Sequence, residues 1–425
     1  MKTLIVNGYL VDPASRKEGK TDLLISDGKV LEIGENLQEK YKGESMEVVD
    51  AAGLIVAPGL VDIHSHFRDP GFTYKEDIES GSRAAARGGY TTIVLMANTK
   101  PAVDNEETLR YVIEKGKQTG IHIHTCATVT MGMQGKEMVP MDELKQAGAV
   151  GFTDDGVPIL DEELVRKAME TVAALDVPIS FHEENPAFIT NNGINRGKAS
   201  AHFGIGGSDR QAEIDLVERD LQIALETGAC IDVQHISSKE AVELVRQAKK
   251  KGSNIHAEAT PHHFTLTEEA AIEHGTLAKM NPPLREEEDR MAVITGLADG
   301  TIDVIATDHA PHSKEEKEKP ITEAPSGITG LETALSLGIE VLVDGGYMTM
   351  MSYLEKLTCN PAAMYHLDAG YIAEGGPADL VLFDKDATWI AGDYASKSTN
   401  TPFTGKTLKG VVKYTICGGK VVYKG

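Results

Sequence analysis

Apolar residues fall into two rhythms along the chain. Over residues 1 to about 55 they come in short runs, Leu4-Ile5-Val6, Leu23-Leu24-Ile25 and Val30 to Ile33, cut by Asn7-Gly8 and Asp27-Gly28. Both dipeptides tolerate positive φ, so each is expected to turn one strand into the next. The same style returns at the end, in Asp379 to Phe383, Gly410 to Ile416 and Lys420 to Tyr423, with Gly418-Gly419 between the last two. The ends are therefore expected to pair into one small β-sandwich module, 1–55 with 367–425, around a middle domain of 56–366.

The middle has a longer period. Strand-like apolar runs begin near Val61, Thr91, Ile121, Ala149, Pro178, Ala229, Asn254 and Asp303. Helical patterns lie between most of them: Leu164, Ala168, Val172 and Leu175 share one face, and Val242, Val245 and Ala248 another. The first five runs recur about every 30 residues, the length of one βα unit. Eight units predict an α/β fold of the (β/α)8 TIM-barrel type. Extra residues follow His182, Thr260 and Asp308, at the C-terminal strand ends where such barrels build sites. No Gly-x-Gly-x-x-Gly follows a strand, which disfavours a doubly wound open sheet.

Composition narrows the partners. The 425 residues carry Lys+Arg 42 against Asp+Glu 65, a formal charge of −23. Such a surface repels phosphate backbones, so nucleic acid is excluded as a partner, and an anionic substrate would need local basic groups or a metal. No stretch approaches the ~20 apolar residues of a membrane span, and Leu4 to Val6 is too short for a signal peptide. A cytoplasmic protein with no membrane partner is expected. Cys126, Cys230, Cys359 and Cys417 lie far apart and read as reduced core cysteines rather than disulfides or a thiolate metal site.

The strand ends carry the chemistry. Strand one ends in Asp62-Ile63-His64-Ser65-His66, and residues two apart on a strand face the same way, so both imidazoles can reach one point. Strand four ends in Asp154-Asp155, strand five in His182, strand six in His235 and strand eight in Asp308. Four histidines and two carboxylates at one barrel mouth suit zinc or a similar divalent ion.

With these residues in view, the chain resembles the dihydroorotases of the amidohydrolase superfamily, of the monofunctional bacterial kind called class I, over essentially its whole length. The motifs are DIHSHFRDPG (62–71), MANT (96–99), FTDDG (152–156), HEEN (182–185), QHIS (234–237), TPHH (260–263), KMNPPLR (279–285), ATDHAPH (306–312) and TPFTG (401–405). The resemblance implies one or two zinc ions per subunit. His64, His66 and Asp308 would hold one, His182 and His235 would hold or approach a second, and Asp155 would bridge in place of the carboxylated lysine of hydantoinases. It implies Asp308 as the catalytic proton shuttle. It also implies a substrate clamp of His66, Arg68, Asn98 and His312, with Asn281, Ser326 and Gly327 against the ring. The reaction implied is the reversible cyclisation of N-carbamoyl-L-aspartate to L-dihydroorotate in pyrimidine biosynthesis, by a homodimer with room for association with aspartate transcarbamoylase.

Other polar features read more plainly. Asp154 should point away from Asp155, and His262, His263 and His309 are expected to support the site rather than bind in it. Glu286 to Asp289 reads as a solvated helix start. Ser313 to Lys319 reads as a charged, mobile segment, either a lid or a plain loop. Two departures from the family pattern are Ala97 in MANT and Ser326, where relatives carry phenylalanine. Rival readings are an allantoinase or dihydropyrimidinase, which would not need Arg68, and a non-catalytic barrel subunit, which would have lost ligands.

Overall fold

The first strand decides how the ends of the chain assemble. In this computed structural model, which describes residues 2–425, β1 (Lys2–Asp12) pairs antiparallel with β2 (Lys17–Ser26), and β2 with β3 (Lys29–Gly34). Asp27-Gly28 is the two-residue turn between β2 and β3, with φ of 53° and 79°. Asn7-Gly8 is not a turn. It lies inside β1 as a bulge, with Asn7 at φ 63° and the register against β2 shifting between Ile5 and Gly8. A side chain at Gly8 would sit 2.5 Å from Val56, so Gly8 serves close packing, and the pair bulges the strand instead of reversing it.

Next come β4 (Glu47–Asp50) and β5 (Ile55–Pro58), both parallel to β1. β5 is the join between the two ends of the chain. Its other edge pairs with β13 (Leu380–Ile390), which carries β14 (Thr407–Cys417) and β15 (Lys420–Lys424), all numbered in chain order after the barrel strands below. One eight-stranded sheet thus unites both termini, over a core that includes Ile5, Leu23, Ile25, Val56, Leu380 and Ile416.

Between them runs the barrel. β6 (Leu60–Ser65), β7 (Tyr90–Leu95), β8 (His122–Thr125), β9 (Ile179–Phe181), β10 (Ile231–Val233), β11 (Ile255–Ala259) and β12 (Val304–Ile305) are parallel to their neighbours. The fourth position is a single residue, Phe152, bridged to Ala127 on one side and Ile179 on the other. The Ser65–His309 bridge closes the ring, and His66 N donates to His309 O at 2.9 Å. The expected (β/α)8 architecture is what forms.

Val61, Ile63, Val94, Met96, Cys126, Val304 and Ala306 pack with Ala362, Met364 and Tyr365, so the barrel is filled rather than hollow. Outer helices start where the sequence supplies caps: Asp161 accepts from the backbone of Glu163 and Leu164, and Ser238 from Ala241. Both expected helices form, at Glu162–Leu175 and Lys239–Lys249. The cysteines are all free thiols, and among the described residues no helix is long and apolar enough to cross a membrane.

Candidate active site

The β6 tip is aimed by two partners far away in sequence. His64 Nδ1 donates to Glu258 Oε1 at 2.5 Å, which turns Nε2 toward the barrel mouth, where it is buried without a hydrogen-bond partner. His66 Nδ1 donates to Asn98 Oδ1 at 2.9 Å, because an amide oxygen can only accept. Its Nε2 then lies 3.1 Å from Asp308 Oδ1 and 3.4 Å from Asp155 Oδ2. Asn98 also donates through Nδ2 to Asp155 Oδ2 at 2.9 Å, so one amide orients an imidazole and a carboxylate together.

The remaining tips converge on the same point. Asp155 Oδ1 is 3.5 Å from His64 Nε2 and 3.9 Å from both His182 Nδ1 and His235 Nε2. Asp154 faces away and accepts from the backbone of Val129 and Thr130 and from the Thr130 hydroxyl. His182 and His235 bring ring nitrogens to 3.0 Å, while His182 Nε2 donates to Glu184 Oε2 at 3.0 Å. Two triads result, His64/His66/Asp308 and His64/Asp155/His235, each with its ligand atoms within 4.8 Å of one another.

This set fits a divalent cation. Imidazole nitrogens and carboxylate oxygens surround a point buried from solvent, and the His64 Nε2 and His235 Nδ1 atoms lack partners. Burial disfavours the charged forms of Asp155 and Asp308, yet the imidazoles beside them hold both well below the ordinary carboxylate range. Burial also pushes His235 well below its usual value, helped by His182 and His64. For His64 burial acts downward too, but the Glu258 and Asp155 carboxylates lift it well above. A metal ion would supply the positive charge that shared protons otherwise provide.

Above the ligands lies a cleft of about 250 Å³. All three long insertions line it: Asn192 from the first, Asn281 from the second, and His312, Ser326 and Gly327 from the third. Arg68 enters from the loop after β6, with Nε donating to Pro311 O at 3.2 Å. Asn281 Oδ1 is buried without a partner, and its Nδ2 is 3.2 Å from His182 Nε2. His312 Nε2 donates to Ser326 O at 2.8 Å, so the ring's other nitrogen accepts from Lys75 Nζ at 3.3 Å. Burial lowers the His312 pKa to about 3 against the pull of Glu316, with Arg68 and Lys75 adding to the fall. A neutral imidazole therefore stands at neutral pH, and its one N–H fixes the Ser326 turn.

Three of these residues carry backbone strain. Arg68, His235 and Asp308 have φ of 60°, 33° and 45°, in the region that favours glycine. Positive φ at bulky residues costs free energy and persists where surrounding contacts over-determine it. Here it aims side chains off the strand axis into the mouth.

Sequence reasoning missed Glu258, Glu184 and Asn192. A lone glutamate in the apolar run of β11 was a signal for the first, since a buried acid needs a partner. Glu184 stood inside HEEN, and nothing local marks Asn192. Of the supporting histidines, His309 accepts from Gly330 N at 3.1 Å and lies 3.4 Å from Glu76, while His263 donates to Pro282 O at 3.0 Å.

Two charged segments differ from expectation. Ser313 caps a short helix, Lys314–Lys317, that is tied down by Lys75–Glu316 at 3.0 Å and by Lys317, which is buried. The Glu286 run does begin a helix, but Asp289 is buried, and Arg210 binds both it and Glu286.

The amidohydrolase family profile matches residues 55–422. A protein of Clostridioides difficile (strain 630) described as dihydroorotase is 52% identical over 421 residues, covering 99% of each chain. Another so described, from Lactococcus lactis subsp. lactis (strain IL1403), is 48% identical over 425 residues, covering 100% of each. Among solved structures, the L-hydantoinase (dihydropyrimidinase) from Arthrobacter aurescens superposes with a TM-score of 0.89 at 25% identity, over 99% of this chain and 96% of that one.

Proposed function

This chain belongs to the amidohydrolase family, within it to the dihydroorotases, and we propose how its barrel mouth divides the work. It is a metal-dependent cyclic amide hydrolase that interconverts N-carbamoyl-L-aspartate and L-dihydroorotate plus water, a step of pyrimidine biosynthesis. The observation that carries the division of labour is the pair of triads sharing His64.

His64, His66, His182, His235, Asp155 and Asp308 would hold the metal, which we take to be zinc, in one or two positions. When bound, the ion supplies Lewis acidity toward a carbonyl oxygen and makes water more acidic. Asp308 faces the mouth as a carboxylate, ready to take a proton. In hydrolysis the oxygen of water bonds to the ring amide carbon, and the ring C–N bond breaks. Asp308 accepts the water's proton and delivers it to the leaving nitrogen. Ring closure runs these transfers backward. The Arg68 guanidinium, half-buried at the cleft in a chain of net charge −23, is the group for the substrate carboxylate. Asn281, with its free Oδ1, accepts from a ring N–H, and Ser326 and Gly327 close the cleft over the ring. Asn98 acts by orienting His66 and Asp155, and His312 by holding the Ser326 turn.

The test follows loss of dihydroorotate, allantoin and dihydrouracil by purified protein of measured metal content. Turnover of dihydroorotate alone is expected, and none from metal-replete protein overturns the reading. By family reasoning the enzyme works as a cytoplasmic homodimer; sedimentation of the purified chain as a monomer would remove the dimer.

A further inference from the structure

A second group of ligand-type side chains stands at the opposite end of the barrel. His122 opens β8, Asp379 immediately precedes β13, and Cys417 closes β14. One imidazole nitrogen, one carboxylate oxygen and the thiol sulfur lie within 4.8 Å of one another. His122 Nε2 is 3.0 Å from Asp379 Oδ2. Asp379 Oδ1 accepts from Gly418 N at 2.7 Å, which fixes the carboxylate and leaves Oδ2 facing the histidine. The Asp379 side chain is 3% exposed, whereas that of His122 is 47% exposed. Cys417, also buried, completes the floor of a cleft of about 600 Å³ that opens past Gly120, Gly418 and Lys420.

We propose that this cleft is a second metal site, distinct from the barrel mouth, which binds a thiophilic divalent cation of the zinc class through His122, Asp379 and Cys417. Imidazole, carboxylate and thiolate together match the ligand preferences of such ions and disfavour magnesium or calcium, which take oxygen ligands. Water from the open side completes the coordination. The ion takes the place of two protons, the one between His122 Nε2 and Asp379 Oδ2 and the thiol proton that Cys417 directs at Thr91 O, 3.7 Å away. Both protons leave to solvent, and no atom changes oxidation state. The three ligands come from the barrel wall, from the residue just before β13 and from the end of β14, so the ion joins the barrel to the terminal sheet, which are otherwise held by packing and hydrogen bonds.

The mouth offers only nitrogen and oxygen ligands, so the thiolate charge-transfer absorption of cadmium separates this site from the mouth, and loss of the signal in Cys417→Ser separates it from the other three free thiols. Holoenzyme titrated with cadmium, with stoichiometry followed by equilibrium dialysis, is expected to bind one further equivalent per chain with that absorption. Zinc should compete it away. Cys417→Ser should lose the absorption, and His122→Ala, at a half-exposed position, should weaken binding at least tenfold while dihydroorotate turnover is unchanged. If no further equivalent binds, the cluster is a histidine–aspartate ion pair beside a core thiol. A thiolate signal that survives Cys417→Ser, or affinity unaltered in His122→Ala, likewise overturns the site.

Discussion

Single side chains at the mouth differ in what they are asked to do. Asp308 lies 3.1 Å from His66 Nε2 and 3.6 Å from His64 Nε2, one carboxylate among several proposed ligands. Asp308→Asn keeps the shape and an oxygen ligand but cannot take a proton. Its kcat should fall by about 10²–10⁴-fold with most of the metal retained, measured by steady-state kinetics beside metal analysis. Near-normal kcat would remove Asp308 as the shuttle. Arg68 is different, because the task proposed for it is recognition. Arg68→Lys keeps the charge but loses the planar fork, so KM for dihydroorotate should rise roughly ten- to a hundredfold with a smaller change in kcat. Unchanged saturation behaviour would argue against the clamp. These residues were legible because each stands where an apolar run stops. Glu258, which turns His64, was not, since its partner lies 194 positions away.

One element, the segment 321–327, shows how a loop over the cleft is held. Lys317 Nζ donates to Pro325 O at 2.8 Å and Gly327 O at 3.1 Å, and Lys279 Nζ to Ile321 O and Ala324 O at 2.8 and 2.7 Å. Two lysines, Lys279 of the KMNPPLR motif and Lys317 of the charged Ser313 to Lys319 segment, thus staple the wall of the site. Burial lowers the Lys317 pKa from 10.5 to about 7, with Lys279 adding and Glu316 opposing. The unfolded chain therefore binds more protons than the folded one between pH 7 and 10.5, so this group's contribution to stability rises with pH across that window. Relative to Lys317→Met, the wild type should gain Tm from pH 7 to pH 10, by the equivalent of a few kcal/mol at most, on the order of a few pKa units. A difference in Tm that stays flat over that range would contradict the buried, depressed lysine. The Ser313 to Lys319 stretch looked mobile because its charges are dense. Its anchoring depends on Lys75 and on carbonyls it meets only after folding.

At the scale of the molecule, a buried nest of six proposed ligands should couple metal to folding. A ligand that binds only the native state stabilises it by about 4 kcal/mol at a thousand times its Kd. For a chain of this size that is a Tm shift on the order of 5 °C. Exhaustive chelation should abolish turnover and lower Tm by that order, and zinc should restore both. Protein that keeps its Tm and its turnover after metal is shown to be gone would exclude a metal centre. The ring closure bears on this directly: the Ser65–His309 bridge joins the first strand to the last, beside His64, His66 and Asp308. The ligands of one triad thus sit across the barrel's seam.

What the sequence by itself determined about this protein is whatever depends on neighbours along the chain. Strand periodicity, helix caps such as Asp161 and Ser238, the Asp27-Gly28 turn, and the ligand types at strand ends all belong to that class, because spacing of a few residues sets their geometry. The tertiary structure alone decided which nitrogen of His64 and His66 faces the mouth, since Glu258 on β11 and Asn98 in the loop after β7 choose the tautomer. It also made Asn7-Gly8 a bulge, because Val56 packs against it, and brought His122, Asp379 and Cys417 together from positions up to 295 apart (417 − 122). A hydrogen bond or a coordination site needs proximity in space, and for these groups only the closed barrel and the joined termini supply it.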